Sequence, residues 1–564
     1  MLNKQFLQRV AYFCMEYGLH EEFPIYSGGL GILAGDHIKC AGEKNLPLVG
    51  IGILWRQGYV TQLIGQDGRP YEIFKDIDVS NIVKDTGVTV KVKVRDKDVS
   101  CKVWLVDKYG NAPLYLLDTN LPENNENRDI TKRLYWGNNH DRIAQEIVLG
   151  IGGVRALRAL GIEVDIYHFN EGHAVLGGIE LIREKMEQGL IFEEAWKETR
   201  KQVVFTTHTP VSAGNGSYCH GDFGYSGAYN GLNYQQISAI GGDPFNITVA
   251  GLKLSKLSNG VSKSHSKTAR NMWKHVKYAS KIIDITNGVH RKTWQDPRVR
   301  EAFDKGEDLW APHMDAKKEL FDEIYKRNKF RLNPDGLTIG FARRVTAYKR
   351  CDLILGNTEI LIPYLENGTV QLIFSGKVHP QDEEGKCMLP KIIEMSKKYP
   401  ESIVFLENYD MKLGKLLTRG CDVWLNTPRR PLEASGTSGM KAAINGVLNF
   451  SILDGWWPEA CKHGVNGWQI GHGYEGCNQD WHDLNCLYHT LLNDIIPAYY
   501  HNRPHWLKMM NNSIAASQWE FSADRMLNEY YSKMYLDKEV LREIAAAQSE
   551  LLCSLKFDSK YMEY

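Results

Sequence analysis

The feature that most constrains this chain is a rhythm, run through twice, of short apolar segments that end in glycine-rich or polar loops and lead into helices. Val10-Ala-Tyr-Phe-Cys-Met15 reads as a buried strand, Tyr26-Ser-Gly-Gly-Leu-Gly31 leads into a helix through Leu33, Ala34, Ile38 and Cys40, and Leu48-Val-Gly-Ile-Gly-Ile-Leu54 is the next strand. Such units build a doubly wound α/β domain. The rhythm resumes with a helix over 143–160, a strand Val164-Asp-Ile-Tyr-His-Phe169, the segment Asn170-Glu-Gly-His173 and a helix over 174–186. A second run follows position 337, with strands over 337–341, 370–374, 403–406 and 422–425 and helices over 384–398 and 412–419 between them. Residues 58–118 differ. Val88-Thr-Val-Lys-Val-Lys-Val94 alternates strictly and the neighbouring segments continue the pattern, which predicts an antiparallel insert with one wet face and no chemistry.

At 564 residues the chain is too long for one ordinary core. A charged amphipathic helix over 315–330 followed by Asn333-Pro-Asp-Gly336 predicts the domain boundary, so 1–330 forms the first domain, with the insert at about 58–118, and 331–505 the second. The polar stretch after Val203-Val-Phe-Thr-Thr-His208, to about position 266, reads as irregular structure and short helices. His208 itself is open to a core or a site role. Helices over 480–499, 506–516, 522–534 and 541–555 finish the chain.

Lys and Arg number 68, as do Asp and Glu, and no long one-sign run appears, so nucleic-acid binding or membrane attachment by bulk charge is not supported. No apolar run is long enough to span a bilayer, and Lys4 and Arg9 interrupt the first apolar residues, which argues against a signal peptide. Eleven scattered cysteines without a C-x-x-C pair fit a reducing, cytoplasmic setting better than a disulfide framework. No cluster has metal-ligand spacing.

Three stretches carry chemistry. After the strand at 422–425, Glu433-Ala-Ser-Gly-Thr-Ser-Gly-Met-Lys441 turns into a short helix; its backbone N–H groups are suited to an anion, and a lysine one turn in can neutralise a phosphate or react with an aldehyde. Ala342-Arg-Arg-Val-Thr-Ala-Tyr-Lys-Arg350 sets four cations at the carboxyl end of a strand, a phosphate site. His173 follows a strand at the edge where open α/β sheets bind ligands. Gly29-x-Gly31-x-x-Ala34 matches a loose dinucleotide fingerprint. A long loop separates it from its strand, however, and the next strand ends in Trp55-Arg56-Gln57 with no carboxylate for a ribose, which disfavours a nicotinamide or flavin enzyme.

The segment Glu433–Lys441, with Asn445-Gly446 and Asp454-Gly455, closely resembles the pyridoxal-phosphate segment of the α-glucan phosphorylases, the glycogen, starch and maltodextrin phosphorylase family; Gly439 stands where many members have asparagine. The resemblance extends over most of the chain, in a compact version. It implies a glycosyltransferase-B type architecture, two Rossmann-like domains facing a cleft, with the helices of 506–564 packing back on the first domain. It implies pyridoxal 5'-phosphate bound to Lys441 as a Schiff base, with Arg343, Thr437, Ser438, Tyr409 and Trp294 also at the cofactor. Arg344 and Lys349 would hold substrate phosphate, and His173, Asn287, Tyr348 and Glu433 the sugar. Gly28, Gly29, Leu30, Ser435 and Gly436 would line the substrate site. Departures fall at Arg343, where the family has lysine, at Glu171 and Ala174 beside His173, and at His290-Arg-Lys-Thr293 before Trp294. The implied reaction is reversible phosphorolysis of terminal α-1,4-linked glucose of an α-glucan by inorganic phosphate to α-glucose 1-phosphate, the cofactor's phosphate exchanging the proton. A nucleotide-sugar-dependent glycogen synthase-like enzyme and a non-catalytic glucan-binding protein are the rival readings. Oligomeric state is open, a homodimer included.

Overall fold

The computed structural model describes residues 7–209 and 216–536. The helix expected over 541–555 lies outside them.

Strands β1 (Val10–Phe13), β2 (Leu48–Ile53), β3 (Thr61–Ile64), β4 (Pro70–Ile73), β5 (Lys84–Val94), β6 (Lys97–Val106), β7 (Leu114–Asp118), β8 (Ile166–Asn170), β9 (Val203–Thr206), β10 (Ser217–Tyr218), β11 (Phe245–Asn246), β12 (Leu257–Gly260) and β13 (Ile282–Asp284) belong to the first half of the chain. Nine of them form one sheet in the order β13-β12-β9-β8-β1-β2-β7-β6-β5, parallel from β13 through β7. A second sheet is parallel throughout: β14 (Leu337–Ala342), β15 (Val370–Ser375), β16 (Ile403–Leu406), β17 (Val423–Asn426), β18 (Leu448–Ile452) and β19 (Gly467–Ile470), ordered β16-β15-β14-β17-β18-β19. In chain order that is 3-2-1-4-5-6, the doubly wound arrangement, and β7-β2-β1-β8-β9-β12 repeats it. The direction of winding reverses between β1 and β8 and between β14 and β17. At each reversal the flanking helices leave on opposite faces, so a crevice opens beyond the strand ends. The loops after these four strands carry Gly28–Leu30, Glu171–His173, Arg343–Arg344 and Glu433–Lys441.

The antiparallel insert is divided in two. β7 joins β2 in parallel, and β6 and β5 extend the main sheet antiparallel from it. The β3–β4 hairpin pairs with itself and reaches the other unit: the Gln62 side chain donates to the Val378 carbonyl (3.0 Å) and accepts the Val378 N–H (2.8 Å), and Ile64 N–H donates to Glu407 Oε1 (2.9 Å). β12 corrects the expectation of irregular structure up to position 266. Its Leu-Ser-Asn-Gly sequence has no apolar signature, yet Ser258 and Asn259 are buried and bonded to Ser280, Thr206 and Tyr530.

The boundary also falls earlier than 331. Val299 and Leu309 sit in the core of the second unit, as does helix Trp310–Asn328, through Leu320 and Ile324. The chain therefore crosses near 290–297. The return comes later than 506: helix Arg503–Ser517 packs on the second unit through Trp506, Met510 and Ile514, and among the described residues of this region helix Ala523–Tyr530 and the turn to Tyr535 join the first. The two crossings lie side by side, Val289 N–H bonding to Phe521 O and Ala523 N–H to Val289 O. Around them Ile32, Trp294, Met440, Trp456, Trp457 and Phe521 form an apolar cluster drawn from both units. Among the described residues no helix is long and apolar enough to cross a membrane.

Candidate active site

A cavity of about 460 Å³ opens where the two crevices face each other, within the range of small-molecule sites. All the residues singled out from the sequence line it: Arg344, Lys349 and His173; Lys441, Arg343, Thr437, Ser438, Tyr409 and Trp294; Gly28, Gly29, Leu30, Asn287, Tyr348, Glu433, Ser435 and Gly436.

The lysine turn is built by its glycines. Gly436 adopts φ 84°, a left-handed conformation that lets the chain enter helix Thr437–Ala443 directly. At Gly439 a Cβ would lie 2.5 Å from Asn449 Oδ1 and 2.9 Å from the Trp456 indole nitrogen, so these two side chains occupy the space an asparagine would need. Lys441 is thereby fixed in the interior. Its Nζ has no hydrogen-bond partner among the described residues and lies 3.6 Å from the centroid of the Trp294 ring. Burial lowers its amine to about 8, Lys39 adds to that, and Asp36 opposes it.

Opposite stands a cationic cluster. Lys349 Nζ donates to both oxygens of Glu433, at 2.6 and 2.7 Å, and Arg343 Nη2 to one, at 2.5 Å. Burial works against the Glu433 charge, but these two cations overcome it and hold the carboxyl at about 2. The Asp454 carboxylate fixes the same turn by accepting the N–H groups of Glu433 and Gly455, each at 2.8 Å. Arg344 extends into the cleft, with Tyr348, Tyr59 and Glu16 near enough to act on its charge.

His173 sits at the opposite wall. Glu171 precedes it at φ 75° and ψ 167°, a region costly for a side chain, and its carboxylate accepts the His208 N–H at 2.6 Å. This sharp turn sets His173 against Tyr135, ring centroids 5.5 Å apart. Burial lowers the imidazole to about 4, so it is neutral near pH 7. Asn287 is held from behind by Arg525, whose Nη2 donates to its carbonyl at 3.1 Å.

The decisive property is unmet hydrogen bonding. His173 Nδ1, Asn287 Oδ1, Ser435 Oγ and Arg343 Nε and Nη1 are buried without hydrogen-bond partners among the described residues. Orphan polar atoms cost about 1–3 kcal/mol each, and several on residues that line one cavity suit a polar ligand there. Two donors on a guanidinium suit an anion, whereas the imidazole, amide and hydroxyl suit alcohol groups.

A match to the carbohydrate phosphorylase family model covers residues 300–462. Over 93% of its length the chain is 40% identical to the maltodextrin phosphorylase of Thermococcus litoralis, spanning 70% of that protein. It is 36% identical to the glycogen phosphorylases of Aquifex aeolicus (95% of this chain, 87% of the relative) and Mycobacterium tuberculosis (96% and 72%).

The chain belongs to the carbohydrate phosphorylase family.

Membership gives the convergence a context, and the structure adds to it one residue that the sequence reading passed over, Glu16, and two that it left without a role, His208 and Lys377. Glu16, at the end of β1, accepts the N–H groups of Ser27 and Gly28 at 2.6 and 3.1 Å and the Tyr135 hydroxyl at 2.9 Å, and so fixes the glycine loop. His208 enters the wall with Nε2 2.6 Å from Asn170 Oδ1. Lys377, lowered to about 8 by burial, donates to Val60 O at 2.7 Å. Each stands just past the end of a parallel strand, the same positional signal that singled out His173.

Proposed function

We propose that this protein is an α-glucan phosphorylase that transfers a terminal α-1,4-linked glucose reversibly to inorganic phosphate, giving α-glucose 1-phosphate. The observation that carries the reading is the set of orphan polar atoms on two facing units, sugar-type partners at His173 and Asn287 on one and anion-type donors at Arg343 on the other.

The residues present fit pyridoxal phosphate: a buried amine at Lys441, a flat indole beneath it, and guanidinium donors at Arg343 that are unpaired among the described residues. Lys441 would hold its aldehyde and Arg343, Thr437 and Ser438 its phosphate, with Tyr409 and Trp294 alongside. When bound, the group supplies a phosphate whose second pKa near 6 suits proton exchange near neutrality. Arg344 and Lys349 hold the substrate phosphate beneath the sugar. The phosphate anion they align is worth most as the glycosidic bond breaks and the anomeric carbon becomes positive, because burial leaves little water to screen the attraction. His173, neutral, and Asn287 orient the sugar hydroxyls, and Glu433 accepts another. Tyr348 and the glycine loop, held by Glu16, shape the wall. We assign the described residues of 7–296 together with 523–536 to the glucan side and 297–517 to the phosphate side, a division that the two crossings support. The unpaired described cysteines support a reducing, cytoplasmic setting.

The test is phosphorolysis. With maltodextrin, inorganic phosphate and bound pyridoxal phosphate, and no nucleotide, glucose 1-phosphate should form. Glucosyl transfer only from a nucleotide sugar, or glucan binding without turnover in saturating phosphate, would overturn the reading.

A further inference from the structure

Asp36 lies on helix Gly29–Glu43, 1% exposed, and both of its carboxylate oxygens accept the Trp294 indole N–H, at 3.0 and 2.9 Å. Among the described residues no cation lies within ion-pair distance of it. The same indole carries the Lys441 ammonium over its face at 3.6 Å from the centroid. Three segments that are distant in sequence, one from each unit and one at the first crossing, thus form a column of carboxylate, ring and amine. A carboxylate buried this far is costly unless something compensates it, and the groups that face it are Lys441, Lys39 and His290. Lys39 is engaged elsewhere, its Nζ donating to Thr293 Oγ1 at 3.1 Å. An anion at the edge of an indole also enriches its face, which strengthens the attraction for a cation there.

We propose that Asp36 is a positioning residue for the Lys441 amine, fixing the ring beneath it and setting how readily it gives up its proton. The inference rests on the cofactor reading above. Only the neutral amine has a lone pair to add to the aldehyde carbon of pyridoxal phosphate; the addition product then loses one water to leave a carbon–nitrogen double bond. A carboxylate that favours the ammonium slows this capture in acid and holds the amine in place while it is free. Lys39, on the same helix, acts in the opposite sense.

Asp36→Asn separates charge from packing, because the amide oxygen still accepts the indole N–H. The measurement is the rate at which the full chain, stripped of bound aldehyde, captures pyridoxal phosphate across the pH range, followed by absorbance, with the adduct located by peptide mass after borohydride. The wild-type midpoint should lie near 8. Loss of an opposing charge should move it down by about one pH unit, the low end for a close opposite charge, so that capture at pH 6 becomes about tenfold faster. Asp36→Ser should move it the same way if the asparagine variant does not fold. A purely structural role would slow capture at every pH and leave the midpoint in place, and an unmoved midpoint overturns the proposal. Wild-type chain that forms no adduct on Lys441 overturns the cofactor reading as well, so the two failures are distinguishable.

Discussion

Glu433→Gln tests the electrostatic logic of the cavity most directly. One buried carboxylate offsets two cations there, with Lys349 Nζ at 2.6 and 2.7 Å and Arg343 Nη2 at 2.5 Å. Its carboxyl is held at about 2 against an ordinary 4.5, and at about 1.4 kcal/mol per pH unit that difference contributes about 3 kcal/mol to stability near pH 7. A glutamine keeps one acceptor and no charge, leaving Lys349 buried without compensation, and breaking buried pairs from one side costs a comparable amount, about 3–5 kcal/mol. The folded-state value lies below the unfolded one. The contribution is therefore complete above about pH 4.5 and is lost as pH falls toward 2. Denaturant unfolding followed by tryptophan fluorescence should show the variant less stable by about 3 kcal/mol from pH 6 to 8, with the gap closing below pH 4.5. Inorganic phosphate should stabilise the variant more than the wild type, since the freed cations gain an anion. A variant as stable as wild type at pH 7, or a gap undiminished at pH 3, would refute the reasoning.

Arg344→Ala should lose most phosphorolysis while retaining pyridoxal phosphate, because a charge-assisted and bidentate contact worth a few kcal/mol, about 1.5–3 per bond, is removed; near-normal turnover at ordinary phosphate would take Arg344 out of the site. His173→Ala should weaken turnover of glucose 1-phosphate by about 1–3 kcal/mol and affect 6-deoxyglucose 1-phosphate less; equal losses contradict the sugar contact. Because burial holds His173 at about 4, its removal should leave the pH–rate profile between 5 and 8 unchanged in shape. Lys441→Ala should lose both cofactor and activity. Borohydride reduction of the loaded wild type should leave substantial phosphorolysis, since a glucan has no amine to receive the aldehyde; a folded, fully labelled and inactive product would point instead to chemistry at the cofactor ring.

How much of this was written in the sequence depended on whether the signal was local. Parallel strands buried on both faces need unbroken apolar runs, so β1, β2, β8, β14, β15 and β17 could be read directly, and the loops after β1, β8, β14 and β17 announced their chemistry through glycines, cations or a histidine. That positional rule singled out His173, the cations of 343–350 and Lys441, the family resemblance added the other candidates, and all of those candidates line the cavity. It missed β12 because Leu257-Ser-Asn-Gly260 is buried by hydrogen bonds rather than by apolar side chains, and it passed over Glu16 because a single carboxylate after a strand looks like any other until the N–H groups of Ser27 and Gly28 are seen to converge on it. The unit boundaries were misplaced by some thirty residues at the first crossing, since the amphipathic helix Trp310–Asn328 shows that it packs without showing against what. Partnership between distant segments was decided by the tertiary structure alone. Sequence fixes which side chains a strand end can offer. Only the packing of two units around Trp294, Met440 and Phe521 decides that Asp36 lies buried at the edge of the ring that carries Lys441 and that Lys441 and Glu433 line one cavity, where burial lowers the amine and two neighbouring cations hold down the carboxyl.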